Sequence, residues 1–289
     1  MVRLKPVLRL KPLPGLRRSL HSRLRNANPH RMSSAVVFAP HQDDETLGCG
    51  GTIILKREAG TPMTLVFMTD GSRSHRRFMN EDKLRQVRNN EALAAAKTLG
   101  LSAPDVHFLN FANDELGRFH RAAVPEVLAI LQRQRPSEVF VPYRTDGTPD
   151  HEDTYKIVLE AVGKAGLSLR LYEYPIWFWN QWPWVSQNLP LDRSIRKAIG
   201  RMLWAGFGLR AFAEFRSGVF VGDILERKRE ALGKHRSQMT ELMPGVGWPT
   251  LSDVSDGEFL NCFFQEYEIF RCRECSVAAS KSSSAHPIR

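Results

Sequence analysis

Short apolar runs alternating with amphipathic stretches place this chain in the α/β class, with a mainly parallel sheet. Three observations carry that expectation. Five runs of strand length, from Ala35–Phe38 to Leu169–Tyr174, recur along the first 175 residues. A stretch of helical character separates each from the next, and Gly60 and Gly100 stand where two of those helices should stop. The 289 residues, 42% of them hydrophobic, suffice for one sizeable core, so one large domain is expected rather than two.

The elements follow in order. Ala35–Phe38 is the first strand, and Thr46–Ala59 the first helix. Met63–Met68 is a second buried strand, closed by Thr69-Asp70-Gly71, and Glu81–Leu99 is a long helix with a stripe of small apolar residues, Ala92, Ala95, Ala96 and Leu99. Val106–Leu109 is the third strand and Ala122–Gln134 the next helix. Val139–Val141, stopped by Pro142, precedes a helix over His151–Val162 and the fifth strand, Leu169–Tyr174. Such alternation implies βαβ units and a Rossmann-like sandwich, whose ligands belong at the carboxyl ends of the strands. Phe215–Val221 and Ile224–Met239 add a C-terminal strand and a basic helix.

Between Pro175 and Arg216 the alternation breaks down. Trp177, Trp179, Trp182, Trp184 and Trp204 lie here, five of the six tryptophans, and no charge occurs between Glu173 and Asp192. Pro183 and several polar residues interrupt the run, so it is not a spanning helix. Residues 176–216 are expected to be a buried aromatic insertion. A lid or a peripheral membrane contact is the alternative, because Trp and Arg favour such interfaces.

The net charge of +10 belongs to the ends. Residues 1–31 hold nine Lys/Arg and no acid, and residues 271–289 are also basic, leaving 32–270 nearly neutral. That distribution argues against nucleic acid as a partner. Residues 1–33 are expected to be a disordered basic tail, or to precede a true start at Met32, because little hydrophobic packing could order them. Residues 34–270 form the domain and 271–289 a second disordered tail. The N-terminus has no apolar core of secretory length. Cys49, Cys262, Cys272 and Cys275 make no disulfide framework, and the lone Cys272-Arg273-Glu274-Cys275 is structural or incidental.

Chemistry concentrates in Pro40-His41-Gln42-Asp43-Asp44-Glu45, directly after the first strand. Carboxylates are costly to desolvate unless a metal or a partner compensates them. His41 and Asp44 therefore read as half of a divalent-metal site. The best source for the rest is Thr148-Pro149-Asp150-His151, past the fourth strand. Thr148 fits a helix N-cap and Pro149 the first helical position, which puts His151 in the first turn. Parallel connections bring such strand ends to one edge, so His41, Asp44 and His151 can converge on one ion. Two imidazoles and a carboxylate suit catalytic Zn²⁺, and Fe²⁺ would accept the same donors. Asp43 then stays free for acid–base work.

The segment Ala39-Pro40-His41-Gln42-Asp43-Asp44-Glu45-Thr46-Leu47-Gly48-Cys49-Gly50-Gly51 resembles the signature of the PIG-L/LmbE-like N-deacetylases. Those are zinc enzymes that remove acetyl groups from N-acetylglucosamine linked to inositol, lipids, thiol precursors or antibiotics. Arg88–Gly100, Phe108–Phe111 with Asp114, Pro149-Asp150-His151 and Lys234-His235-Arg236-Ser237-Gln238 resemble further family segments. The resemblance spans roughly residues 35–175 and 225–245. It implies Zn²⁺ held by His41, Asp44 and His151, Asp43 as general base toward the attacking water, and Arg88 and Asp114 on sugar hydroxyls. The implied substrate is an N-acetylglucosamine-type sugar on a larger conjugate, and the expected location is cytoplasmic. A lipid-linked conjugate is suggested only by the aromatic insertion.

One position departs from the family. Many members carry a His three residues before the last ligand, where this chain has Thr148. Asp43 then returns the proton it took, or Tyr143, Arg144, Asp146 or His235 serves, or the activity is low or differs from the family's. Three other residues carry blander expectations: Asp70 closes a turn, His107 is structural, and His235 is a surface or capping residue. Two further functions compete. Leu47-Gly48-Cys49-Gly50-Gly51 mimics the glycine-rich loop of an S-adenosylmethionine methyltransferase, and Thr148 keeps open a non-catalytic membrane-surface or binding module with a degenerate metal site.

Overall fold

The computed structural model describes residues 7–24, 32–190 and 209–276, with Arg196, Gly200 and Gly206. In chain order the elements are β1 (Val7–Leu10), α1 (Leu16–His21), β2 (Ala35–Ala39), α2 (Asp44–Glu58), β3 (Met63–Thr69), α3 (Glu81–Leu99), β4 (Val106–Phe111) and α4 (His120–Gln134). They continue with β5 (Glu138–Pro142), α5 (Pro149–Ala165), β6 (Leu169–Tyr174), β7 (Gln187–Pro190), α6 (Ala211–Glu214), β8 (Ser217–Phe220), α7 (Leu225–Gly233), α8 (Arg236–Met239) and β9 (Tyr267–Cys275).

Seven strands form one sheet in the order β4-β3-β2-β5-β6-β9-β8. The first five run parallel, and β9 joins β6 and β8 antiparallel. Every residue of β2, β3 and β5 is buried, as a sheet covered on both faces requires. Alternation along the strands splits the core into two layers. Val37, Leu65 and Phe67 face the layer of α2 and α3, while Val36, Val66 and Met68 face that of α4 and α5. The α/β sandwich expected from the alternating pattern is the observed fold.

Strand order positions the site. From β2 the chain moves outward through β3 to β4, then returns to the other side of β2 for β5 and β6. A crevice opens where the order reverses, between the carboxyl ends of β2 and β5. The loops leaving those two ends are 40–43 and 143–148. Thr69, ending β3, pins the first loop: its N–H and hydroxyl both donate to the Pro40 carbonyl, at 3.0 and 2.7 Å.

Both ends of the chain differ from expectation over their described residues. β1 pairs antiparallel with β7, and α1 packs Leu16 and buried Leu20 against the core. Arg17 donates to the carbonyls of Trp184 and Asn261 at 3.0 and 3.2 Å. Residues 7–24 are thus ordered by a partner strand and by contacts distant in sequence. Residues 271–275 belong to β9 rather than to a tail. Cys272 packs with one core layer and Cys275 with the other, because positions three apart on a strand face opposite ways. The two thiols cannot act as a pair. Residues 1–6, 25–31 and 277–289 lie outside the described residues.

Two tryptophans of the aromatic insertion are packed inward. Trp179 and Trp184 are buried and meet edge to face, with centroids 5.0 Å apart. Trp204 and most of 191–208, on which the lid or membrane reading depended, fall outside the described residues. No described helix is long and apolar enough to cross a membrane. The basic helix expected over Ile224–Met239 is two helices, α7 and α8, broken at Lys234-His235.

Candidate metal centre

The 40–43 loop turns sharply into α2. Asp43, just before the helix, has φ 146°, a backbone that L-residues rarely adopt and that costs about 1–3 kcal/mol. The turn is held from several sides. The Asp43 N–H donates to Glu45 Oε2 at 2.9 Å, the Gln238 amide donates to Asp43 Oδ2, and the Gln42 amide donates to the Thr69 carbonyl at 3.0 Å. Asp43 and Asp44 consequently point apart, one toward Gln238 and one toward the histidines.

From the other side, Pro149 opens α5 and delivers His151 to its first turn. His41 Nδ1 lies 3.3 Å from Asp44 Oδ2, and His151 Nε2 lies 3.2 Å from the same oxygen. One donor atom from each of His41, Asp44 and His151 falls within 4.8 Å of the others. The three residues expected to converge do converge.

Each imidazole has a carboxylate behind it. His41 Nε2 sits 3.2 Å from Asp150 Oδ2, and Asp150 accepts the backbone N–H of Asp114 at 2.7 Å and of Leu116 at 3.2 Å. His151 Nδ1 sits 2.9 Å from Asp146 Oδ2, and Asp146 accepts three successive N–H groups, from Ile176, Trp177 and Phe178. Carboxylates behind ligating histidines fix the ring and raise its basicity. They leave His41 Nδ1 and His151 Nε2 as the free donors toward Asp44.

These residues fit a divalent cation. His151 is fully buried, yet neither ring nitrogen has a hydrogen bond of proper geometry, which is costly unless another partner completes it. The site also favours positive charge. Burial alone would lower both histidines, but Asp150 and Asp44 outweigh it at His41 and raise its pKa to about 9, while Asp44 and Asp146 raise His151 to about 10. Burial would raise Asp44, but the two imidazoles overcome it and hold that carboxyl well below the usual range. A nitrogen–oxygen–nitrogen set with three protein donors is the pattern of catalytic zinc and related transition metals.

Asp43 is different. Burial, followed by the adjacent Asp44 charge, pushes its pKa up to about 7, against the pull of His235, Arg88 and His41. A carboxylate poised near neutrality is suited to general base work. His235, expected on the surface, is fully buried and bonds Glu45 Oε1 through Nε2 at 2.8 Å. The break between α7 and α8 therefore serves the site: His235 holds Glu45, which holds the Asp43 backbone, and Gln238 holds the Asp43 carboxylate.

The cluster opens into a cleft of about 430 Å³. Arg88 lines it and is buried, with burial lowering its pKa. Asp114 stands exposed at the rim, and its clearest role is its backbone N–H on Asp150. Asp70 accepts Ser72 and Arg85, closing its turn as expected. His107 touches Arg133 at 3.2 Å on the edge strand, away from the cleft. His75 was not expected; it lines the cleft, stacked on Trp248 at 4.3 Å, with Nε2 on the Pro249 carbonyl. Its sequence surroundings, Gly71 to Arg77, carry no motif that would have singled it out.

The glycine run has no loop to form. Gly48, Gly50 and Gly51 lie inside α2. A Cβ at Gly48 would collide with the Tyr174 ring, and one at Gly51 with Val221. The glycines allow close packing, which removes the geometric basis for the methyltransferase reading.

Fold and site together define an α/β sandwich with a His-Asp-His cluster suited to a metal at the switch point of its sheet. Residues 36–162 match the family model described as PIG-L: GlcNAc-PI de-N-acetylase, which supports the resemblance of the first motif to the PIG-L/LmbE-like family. It is similar to the diacetylchitobiose deacetylase of Thermococcus kodakarensis, 31% identical over 140 residues that cover 47% of this chain and 51% of that one. It is also similar to a probable N-acetyl-alpha-D-glucosaminyl L-malate deacetylase 2 of Bacillus cereus, 31% identical over 136 residues, 45% of this chain and 60% of that protein. The chain thus matches a little over half the length of these curated relatives. Among solved structures, the N,N'-diacetylchitobiose deacetylase from Pyrococcus horikoshii aligns over 90% of both chains with a TM-score of 0.60 and 21% identity, a likeness of fold.

Proposed function

We propose that this protein is a zinc-dependent N-deacetylase acting on an N-acetylglucosamine-type sugar carried by a larger conjugate. The observation that carries the proposal is the pairing of a three-donor cluster, His41, Asp44 and His151, with a buried carboxylate outside the donor set, Asp43, on the adjoining residue. The names of the relatives support the substrate class. A cation bound by the cluster supplies Lewis-acid polarisation and an acidified water near neutral pH.

The remaining steps belong to the chain's own residues. Asp43 accepts one proton as the water oxygen bonds to the acetamide carbon. When the C–N bond breaks, the same proton passes to the departing amine, giving the free amino sugar and acetic acid, which loses its proton to solvent as acetate. Asp43 does both jobs because the other candidates are committed elsewhere. Tyr143 is fully buried against Phe178 and Phe215, Arg144 pairs with Glu214 at 2.8 Å, Asp146 holds three backbone amides, and His235 is buried behind Glu45. Thr148 lines the cleft in place of a titrating group. In this reading Arg88 and Asp114, which both line the cleft, bind the sugar.

The test is incubation of zinc-loaded protein with methyl N-acetyl-β-D-glucosaminide, followed by acetate and amine assays. Stoichiometric release of both is expected, lost on chelation and restored by Zn²⁺. Bound zinc with no release from any N-acetyl sugar would overturn the proposal in favour of a non-catalytic binding module.

A further inference from the structure

The cleft lining includes the polar residues Arg88, Asn113 and Asp114 and, without charge, Ile176, Trp177, Leu251, Val254 and Phe259. Trp177 and Phe259 are stacked at 5.0 Å with an interplanar angle of 20°. Phe259 is fully buried and Trp177 only partly so. Phe259 thus backs a flat aromatic shelf that faces the cleft. The turn carrying Leu251 and Val254 is fixed by a capping box in which Asp253 accepts the Thr250 N–H and hydroxyl at 2.7 and 2.9 Å.

The shelf is tied to the metal cluster. Asp146 accepts the N–H groups of Ile176, Trp177 and Phe178 at 2.9, 2.9 and 3.1 Å, and its other contact is His151 Nδ1 at 2.9 Å. One buried carboxylate therefore sets the position of the shelf relative to the donor cluster.

We infer that this shelf is a second subsite, which takes an apolar alkyl or aryl group attached to the sugar; the inference rests on the deacetylase reading above. This uncharged group of side chains suits an apolar occupant better than a second sugar. Sugar hydroxyls need polar partners; of these five side chains only the Trp177 indole can donate, and the neighbouring Thr250 hydroxyl donates to Asp253. An alkyl chain needs only apolar area, which Trp177, Leu251, Val254 and Ile176 supply beside the cluster.

The zinc-loaded protein would be compared on methyl and octyl N-acetyl-β-D-glucosaminides below micellar concentrations, with calorimetric binding of the two deacetylated products alongside. The octyl compounds should show KM and Kd about 10- to 100-fold lower than the methyl ones. Trp177→Ser should collapse that ratio, and Trp177→Phe should restore most of it. Equal or absent binding of the two products, or a ratio unchanged in Trp177→Ser, would overturn the shelf. Tighter binding of a glucosamine disaccharide than of the octyl compound would overturn it too. Octyl-selective binding without turnover of either glycoside would support the shelf while refuting the deacetylase reading; turnover of both with equal KM and Kd would do the reverse.

Discussion

Replacing Asp43 by Asn separates its chemical role from its structural cost. The substitution keeps an oxygen to accept from Gln238 and leaves His41, Asp44 and His151 in place. Loss of a general base removes about 10²–10⁴ in kcat, or about 3–5 kcal/mol of barrier. Stability should move the other way. The folded pKa of Asp43 is raised from 3.8 to about 7, so the folded state holds this proton more tightly than the unfolded chain. Stability is therefore lost as pH climbs from about 4 to 7, by at most roughly 4 kcal/mol. Asn has no charge to bury and escapes that loss. In chelator, Asp43→Asn should unfold at higher urea than the native protein at pH 8, and at closely similar urea at pH 4. Zinc should narrow the gap at pH 8, because a cation beside Asp43 stabilises its charge. A variant that retains more than a tenth of native kcat would refute the base assignment, and one less stable than native at pH 8 in chelator would refute the desolvation argument.

Two further substitutions probe the supports. Asp146→Ala removes the carboxylate behind His151 and strands three backbone N–H groups; zinc affinity should fall about 10- to 100-fold by competition with a fluorescent chelator, with a lowered Tm. Affinity within twofold of native would show that His151 needs no such support. Glu268→Ala leaves Lys228 buried without its carboxylate partner, 2.7 Å away, and also strands the Gly51 and Thr52 amides; urea unfolding should show a loss of about 3–5 kcal/mol, and a loss under 1 kcal/mol would mean that solvent reaches the site.

The sequence made β2, β3 and β5 legible because each is buried on both faces and reads as a largely apolar run. The first metal motif was legible because two carboxylates at a buried strand end serve no packing purpose. β9 escaped notice because Arg271, Arg273 and Glu274 break its apolar pattern, although Arg271 finds Glu173 and Glu214 in the fold. His235 looked like a surface residue amid Lys234 and Arg236, and its partner, Glu45, lies 190 residues away in the chain. Asp146 carries no local signal, since its partners come from β6's exit and from α5. β1 is four residues long and becomes a strand only through β7. What the sequence hid was, in each case, a partner brought in from elsewhere in the chain.

The central claim is that three side chains, from the 40–43 loop and the first turns of α2 and α5, hold one cation. Anomalous diffraction at the zinc edge, from crystals grown with stoichiometric zinc, tests it most directly. The expected result is a single strong peak about 2.0–2.2 Å from His41 Nδ1, Asp44 Oδ2 and His151 Nε2. A peak at Cys272 or Cys275 instead, or none beside His151, would contradict it.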